Sequence, residues 1–125
     1  TMTASIKPPP NAAFTVPRVH RVCGLYNSYN LCFRAFANPD RFTIGQKIDG
    51  VILETLELVL EATYSSRYRT AILEKASKQI DLLKYLFRLA QEIEAINLAK
   101  YILLEKEVLE IGKMIGGWMR KERSR

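Results

Sequence analysis

The chain has 125 residues, 48% of them hydrophobic and 26% charged, with a formal net charge of +6; that is enough apolar content for one cored domain and too much for a disordered chain. No run approaches the roughly eighteen uninterrupted apolar residues of a membrane span. With prolines at 8, 9 and 10 the start of the sequence lacks a signal-peptide apolar region, so it reads as cytoplasmic with no membrane partner.

Residues 1–17 hold four of the five prolines and no usable periodicity, and read as a mostly disordered, Pro-containing leader. The pattern begins at Arg18. Val19, Val22, Tyr26, Tyr29, Phe33 and Phe36 recur at alternating spacings of three and four, which puts them on one stripe of a bundle-type helix. Cys23 and Cys32 fall in this helix too far apart for a disulfide and read as reduced, buried thiols. "NPD" (38–40) breaks the helix.

A second helix is predicted from Thr43 to about Tyr64, opened by a Thr43-x-x-Gln46 capping box. Its interior "VILETLELVLEA" is apolar around most of its circumference, with Glu54, Glu57 and Glu61 on one narrow stripe. A helix in a lone bundle needs only about a 100° apolar face, so this one predicts burial by a further copy of the chain. "SSR" (65–67) turns into a third helix over about 67–94, with Ile72, Ala76, Leu83, Phe87 and Ala90 inward and Leu82, Leu86, Leu89 and Ile93 widening its apolar face. Asn97 reads as the N-cap of a fourth helix, whose stripe is Tyr101, Leu104, Val108, Ile111, Ile115 and Trp118. No segment reads as a strand. The expected fold is all-α: an antiparallel up-down-up-down four-helix bundle over residues 18–121, followed by a basic tail at 122–125.

Near the carboxyl end "IGKMIGGWMRKERSR" places Gly116 and Gly117 inside the fourth helix, at about 1 kcal/mol each relative to alanine. Because Trp118 completes the stripe, the helix is expected to continue and the pair to face a closely approaching backbone; a C-cap at Gly117, with Trp118 folding back, is the alternative.

Charge is uneven along the sequence: residues 1–41 carry +4, 42–117 carry −1 and 118–125 carry +3. In an up-down-up-down bundle the start of the first helix, the turn between the second and third, and the end of the fourth share one pole. Arg18, Arg21, Arg67, Arg69, Arg120, Lys121, Arg123 and Arg125 should converge there, a surface suited to a polyanion through phosphate contacts. A helix end that only complements its own dipole is the plainer reading of the same cations. Arg88, alone among apolar residues, either snorkels to the surface or pairs with a carboxylate across a subunit boundary.

Catalytic signatures are missing. His20 is the only histidine and reads as a solvated helix-start residue; there is no C-x-x-C, H-x-x-x-H or phosphate-cradling glycine motif. The clusters Glu54, Glu57, Glu61 and Glu105, Glu107, Glu110 lack the Glu-x-x-His companion of di-iron bundles and read as solvated faces. Small helical RNases with an arginine four to six residues before a histidine are disfavoured, since Phe14, Thr15 and Val16 precede His20 there. The chain is therefore expected to be no enzyme and to use no metal or other cofactor.

Three stretches, "RFTIGQKIDGVILETLELVLEA" (41–62), "LEKASKQIDLLKYLFRLAQEI" (73–93) and "LEIGKMIGGWMRK" (109–121), together resemble the accessory variability determinant (Avd) proteins of diversity-generating retroelements. "LYNSYNLCFRAFANPD" (25–40) matches the family's first helix less closely, and the Pro-containing leader departs from the family pattern. The small four-helix proteins encoded by intervening sequences in bacterial 23S ribosomal RNA genes share the fold and much of the pattern. The Avd resemblance implies a homo-oligomer, a pentameric barrel of four-helix bundles, that binds nucleic acid and the retroelement's reverse transcriptase. There the polymerase copies a template-repeat RNA with errors at adenines, and the accessory protein supports mutagenic retrohoming without catalysing it. The remaining alternatives are an intervening-sequence protein of unknown role and a purely structural oligomeric interaction protein.

Overall fold

A computed structural model describes residues 16–124. Its four long helices are α1 (Val16–Phe33), α2 (Gln46–Tyr64), α3 (Arg69–Glu92) and α4 (Leu98–Arg123), and no strand is present among the described residues. Helix α1 starts two residues before the expected point, with Pro17 in the first turn, where a missing N–H and a fixed φ cost nothing. Most of the predicted leader, residues 1–15, lies outside the described residues. At the other end α4 runs on through Arg123, so residues 122 and 123 of the predicted tail are helical.

Helix α1 packs on α2 and α4, and α3 packs on the same two, giving a square with α1 and α3 on one diagonal. Cross-helix contacts give the directions. Along α1, Arg18, Arg21 and Ser28 meet Trp118, Glu110 and Glu107 of α4 in descending order, and α3 starts against the end of α2. The bundle is up-down-up-down, as the short connections predict.

The core follows the alternating three-and-four spacings. Helix α2 buries Ile48, Val51, Ile52, Thr55, Val59 and Ala62; α3 buries Ile72, Leu73, Ala76, Ile80, Leu83, Phe87 and Ala90; α4 buries Leu104, Val108, Ile111, Ile115 and Trp118. Thr55 is tolerated because its hydroxyl donates to the Val51 carbonyl at 2.8 Å. In α1 the buried line is Val22, Leu25, Tyr29 and Cys32, while Val19, Tyr26 and Phe33 flank it half-buried. Cys23 is half-buried rather than buried, because it lies on that flank; both thiols are free.

The entry to α2 differs from the capping-box expectation. The chain turns after Phe33, with Phe36 N–H on the Phe33 carbonyl at 3.0 Å, and "NPD" then starts a helix instead of only ending one. Asn38–Asp40 form one α turn, Arg41–Gly45 widen into a π turn, and α2 follows without a break. Thr43 thus sits inside a running helix, and its hydroxyl donates back to the Pro39 and Asp40 carbonyls at 3.0 and 3.4 Å instead of accepting from an N–H. The Gly45 carbonyl takes the buried Tyr29 hydroxyl at 2.6 Å. A Cβ at Gly45 would lie 2.5 Å from Phe33 Cε2 and 3.0 Å from the Asp40 oxygen, so glycine is required there by space.

Helix α3 ends in a Schellman turn, with Ala95 N–H on the Ala90 carbonyl at 2.8 Å and Glu94 N–H on Gln91 at 3.0 Å. Glu94 takes the left-handed position with φ 65°. Asn97 then caps α4, its side-chain oxygen accepting from Lys100 N–H at 2.9 Å.

Large apolar side chains remain on the outside. Leu53, Leu60 and Tyr64 line the outer side of α2; Leu89 on α3 and Ile93 just after it are about half exposed; Leu98, Ile102 and Leu109 are exposed on α4. Leu82 and Leu86, expected to widen the apolar face of α3, are partly packed against the core.

Candidate nucleic-acid interface

The pole formed by the start of α1, the α2–α3 turn and the end of α4 is built around Trp118. The Arg18 guanidinium lies over its ring at 3.8 Å and that of Arg69 at 5.7 Å. Burial, with repulsion from Arg69 second, lowers the Arg18 pKa from its ordinary value, and Glu122 partly offsets this. Three of the predicted pieces, far apart in sequence, are therefore in contact: α1 through Arg18, the start of α3 through Arg69, and α4 through Trp118.

Arg69 is committed to the fold. Its Nε donates to the Ala62 carbonyl at 2.6 Å and its Nη2 to the Thr63 carbonyl at 3.1 Å, satisfying two last-turn acceptors of α2. Its Nη1 bonds Glu122 at 3.2 Å, with the two side chains only 15% and 10% exposed. One guanidinium thus ties the end of α2, the start of α3 and the end of α4.

The other predicted cations differ in availability. Arg21 reaches Glu110 at 3.4 Å, and Arg123 reaches Glu74 at 3.7 Å, both in exposed, water-screened pairs. Arg67 is exposed, with its guanidinium 5.2 Å from the Tyr68 ring centre. Arg120 and Lys121 are exposed on the last turn of α4. Arg125 lies outside the described residues. Arg88 is not at this pole: it stands nineteen residues along α3 from Arg69, roughly 28 Å at 1.5 Å per residue, and bonds Glu92 of its own helix at 3.3 Å. Its partner is thus a carboxylate of its own helix, one turn on.

The helix continues through Gly116 and Gly117 to Arg123, so Gly117 is no C-cap. Among the described residues no backbone of another element approaches the pair. A Cβ on Gly116 or Gly117 would meet only the Arg120 guanidinium, at 3.6 and 3.7 Å. An arginine three and four residues on lies back over the same helix face, so the bare surface seats a side chain of its own helix.

Elsewhere, a cleft of about 170 Å³ between α1 and α4 is lined by His20, Arg21, Gly24, Glu107 and Glu110. The Ser28 hydroxyl donates to Glu107 Oε1 at 2.9 Å, while Glu107 Oε2 is buried without a hydrogen-bond partner. Among the described residues no three His, Cys, Asp or Glu side chains come together as a metal site, and no helix is long and apolar enough to cross a membrane.

Against this background the comparison with protein families is decisive, since the bAvd-like family model matches residues 18–122, the whole bundle from Arg18 to Glu122. The chain belongs to the bAvd-like family. No curated protein matches it. In this bAvd-like chain the matched span covers all four helices but for their outermost residues.

Sequence reasoning located the pole by topology and missed two of its features. One is Glu122, the single acidic residue of the basic 118–125 segment, whose i+4 spacing from Trp118 is the available signal. The other is the pair of exposed aromatics beside the α2–α3 turn, Tyr64 and Tyr68, legible in "YSSRYR" as aromatic and basic residues in alternation.

Proposed function

We propose that this bAvd-like chain is a non-catalytic accessory protein of a diversity-generating retroelement, binding the reverse transcriptase and its template-repeat RNA and supporting mutagenic retrohoming in the cytoplasm. The observation that carries the reading is the convergence of Arg18, Arg67, Arg120, Lys121 and Arg123 on one pole of a chain in this family. Cations that hold no buried carboxylate can exchange solvent counterions for phosphates, which makes binding steeply salt-dependent and largely independent of sequence.

The same reading takes the working form to be a homo-oligomer, a pentameric barrel. Leu53 and Leu60 on α2, Leu89 and Ile93 at the end of α3, and Leu98 and Ile102 on α4 are the apolar side chains such an assembly would cover. Multi-angle light scattering on the protein and on Leu60→Glu tests this part: an oligomer that dissociates in the variant supports it, and a monomer in both removes it.

The partner test is co-purification with the cognate reverse transcriptase and template RNA. Loss on combined Arg120→Glu, Lys121→Glu and Arg123→Glu, with the helical content intact, is the expected result. Unchanged capture would remove the pole as the contact surface, and a salt-stable oligomer with no affinity for RNA or polymerase would leave a structural interaction protein.

A further inference from the structure

We infer that the pole accepts unpaired nucleic acid, with Tyr64 and Tyr68 as stacking platforms for two bases. The inference rests on the basic-pole reading above and deepens it by naming the form of nucleic acid and the residues that select it.

Tyr64 is the last residue of α2 and Tyr68 immediately precedes α3, so the two rings bracket the turn "SSR". They are 57% and 58% exposed, although a tyrosine has enough apolar surface to favour burial wherever a neighbour is offered. Among the described residues no phenol hydrogen bond explains their position: the turn is held by Arg69 on the Ala62 and Thr63 carbonyls and by Ser65 N–H on the Glu61 carbonyl at 3.0 Å. The turn would keep its shape without either ring.

The surroundings match the needs of single strands. Arg67 lies between the two tyrosines in sequence, and its guanidinium is 5.2 Å from the Tyr68 ring centre, within cation–π range, so that ring already offers its face to a cationic planar group. Behind the turn, the Arg69–Glu122 pair and Trp118 give a rigid base, so the turn loses little freedom when a strand is ordered on it. Exposed aromatics alternating with cations bind single strands because every base has a π-face and every linkage a phosphate. A duplex hides its base faces, and toward it these rings add nothing to the phosphate contacts. Protein partners also favour exposed tyrosines, but the charged residue between the rings here is an exposed cation, Arg67, and no carboxylate lies in the turn.

The experiment uses the full-length protein and fluorescence anisotropy with a labelled strand of about 16 nucleotides, within the range of single-strand site sizes, as RNA, as DNA, and as the duplex of the same sequence. Tyr64→Ala and Tyr68→Ala should each weaken single-strand binding by roughly five-fold or more, and leave duplex binding within about two-fold. Tyr68→Phe, which keeps the ring, should bind like the parent. In rising salt, the tyrosine variants should keep the parent's slope of log affinity against log salt, whereas Arg120→Gln with Lys121→Gln should flatten it. Because both rings are exposed, thermal unfolding should be unchanged. Equal losses on single strand and duplex, or no loss in either tyrosine variant, would overturn the inference while the charge variants still test the basic pole. Loss of reverse-transcriptase capture without loss of oligonucleotide binding would also overturn it, making the turn a protein-docking surface. No salt-sensitive binding by the parent to any of the three probes would overturn both readings.

Discussion

Arg69→Ala separates an arginine that holds the bundle from one that meets a ligand. The substitution removes three hydrogen bonds, at 2.6 Å to Ala62, 3.1 Å to Thr63 and 3.2 Å to Glu122. Hydrogen bonds to a charged donor contribute about 1.5–3 kcal/mol each, but water can replace the guanidinium at carbonyls on a helix end, so the two carbonyl bonds together are worth roughly 1–2 kcal/mol. The Glu122 pair is nearly out of water, where removing one partner costs about 3–5 kcal/mol when burial is complete. The residual exposure of both side chains and their reach to water at the bundle end cut the pair's share to roughly 1–2 kcal/mol, so the sum with the carbonyl bonds is about 3 kcal/mol. For a urea slope near 2 kcal/mol per M, the unfolding midpoint should fall by about 1.5 M.

The measurement is urea denaturation followed by circular dichroism, at one fixed protein concentration because assembly shifts apparent stability by mass action. Arg67→Ala, two residues away and exposed, is the internal control and should stay within about 0.5 kcal/mol of the parent. A double-mutant cycle with Glu122→Gln should return a coupling of roughly 1–3 kcal/mol. If Arg69→Ala unfolds within about 0.5 kcal/mol of the parent, the buried tie is not what joins the three helix ends, and Arg69 returns to the pool of cations open to phosphate.

Three further outcomes follow from the same contacts. Gly45→Ala should destabilise by about 1–3 kcal/mol, because its Cβ would meet Phe33 and the Asp40 carbonyl at 2.5 and 3.0 Å; a thermal midpoint equal to the parent's would show that the π turn has room. Glu94→Gly should stabilise by about 1 kcal/mol, relieving a left-handed residue with φ 65° in an intact Schellman turn, and a lower thermal midpoint would refute this. Burial, with the nearby Asp49 charge second, raises the Tyr29 hydroxyl pKa well above its ordinary value. The folded state therefore holds the neutral phenol more tightly than the unfolded one. That contribution is complete below about pH 10 and is lost above it by at most about 1.4 kcal/mol per pH unit. Tyr29→Phe should lose about 1 kcal/mol at neutral pH with its bond to Gly45 and show a shallower decline above pH 10, read as urea midpoints across pH.

Helices and their inward faces were legible because apolar side chains report burial through spacing alone: the stripe ending Ile111, Ile115, Trp118 in the sequence is the buried line of α4 in the fold. The start of α2 was not legible in the same way. Thr43 and Gln46 satisfy the capping-box spacing, yet a cap forms only where a helix begins, and Pro39 had already allowed one to begin at Asn38. The local signal was real and was overridden by an earlier nucleus. The glycine pair failed for a related reason. Its lack of side chains truthfully marks open space on α4, but sequence cannot say what enters that space, and among the described residues it is Arg120 of the same helix.

The pole shows the division most sharply. Its location follows from helix count and short connections, both of which can be counted along the chain. Which of its cations are free depends on reach between helices, and no spacing rule carries that. Arg67 and Arg69 sit two residues apart with the same charge, yet one lies exposed against a tyrosine and the other holds two carbonyls and Glu122. Backbone direction accounts for the difference: Arg69 begins α3 and points across the bundle end toward α2 and α4, whereas Arg67 is still in the turn. Net charge therefore overstates what this pole can offer a polyanion, since a cation already holding a buried carboxylate releases no counterion when a phosphate arrives. Among the described residues the exposed rim cations that hold no buried carboxylate, Arg67, Arg120, Lys121 and Arg123, are open to phosphate, beside the two aromatic rings whose exposure only the fold reveals.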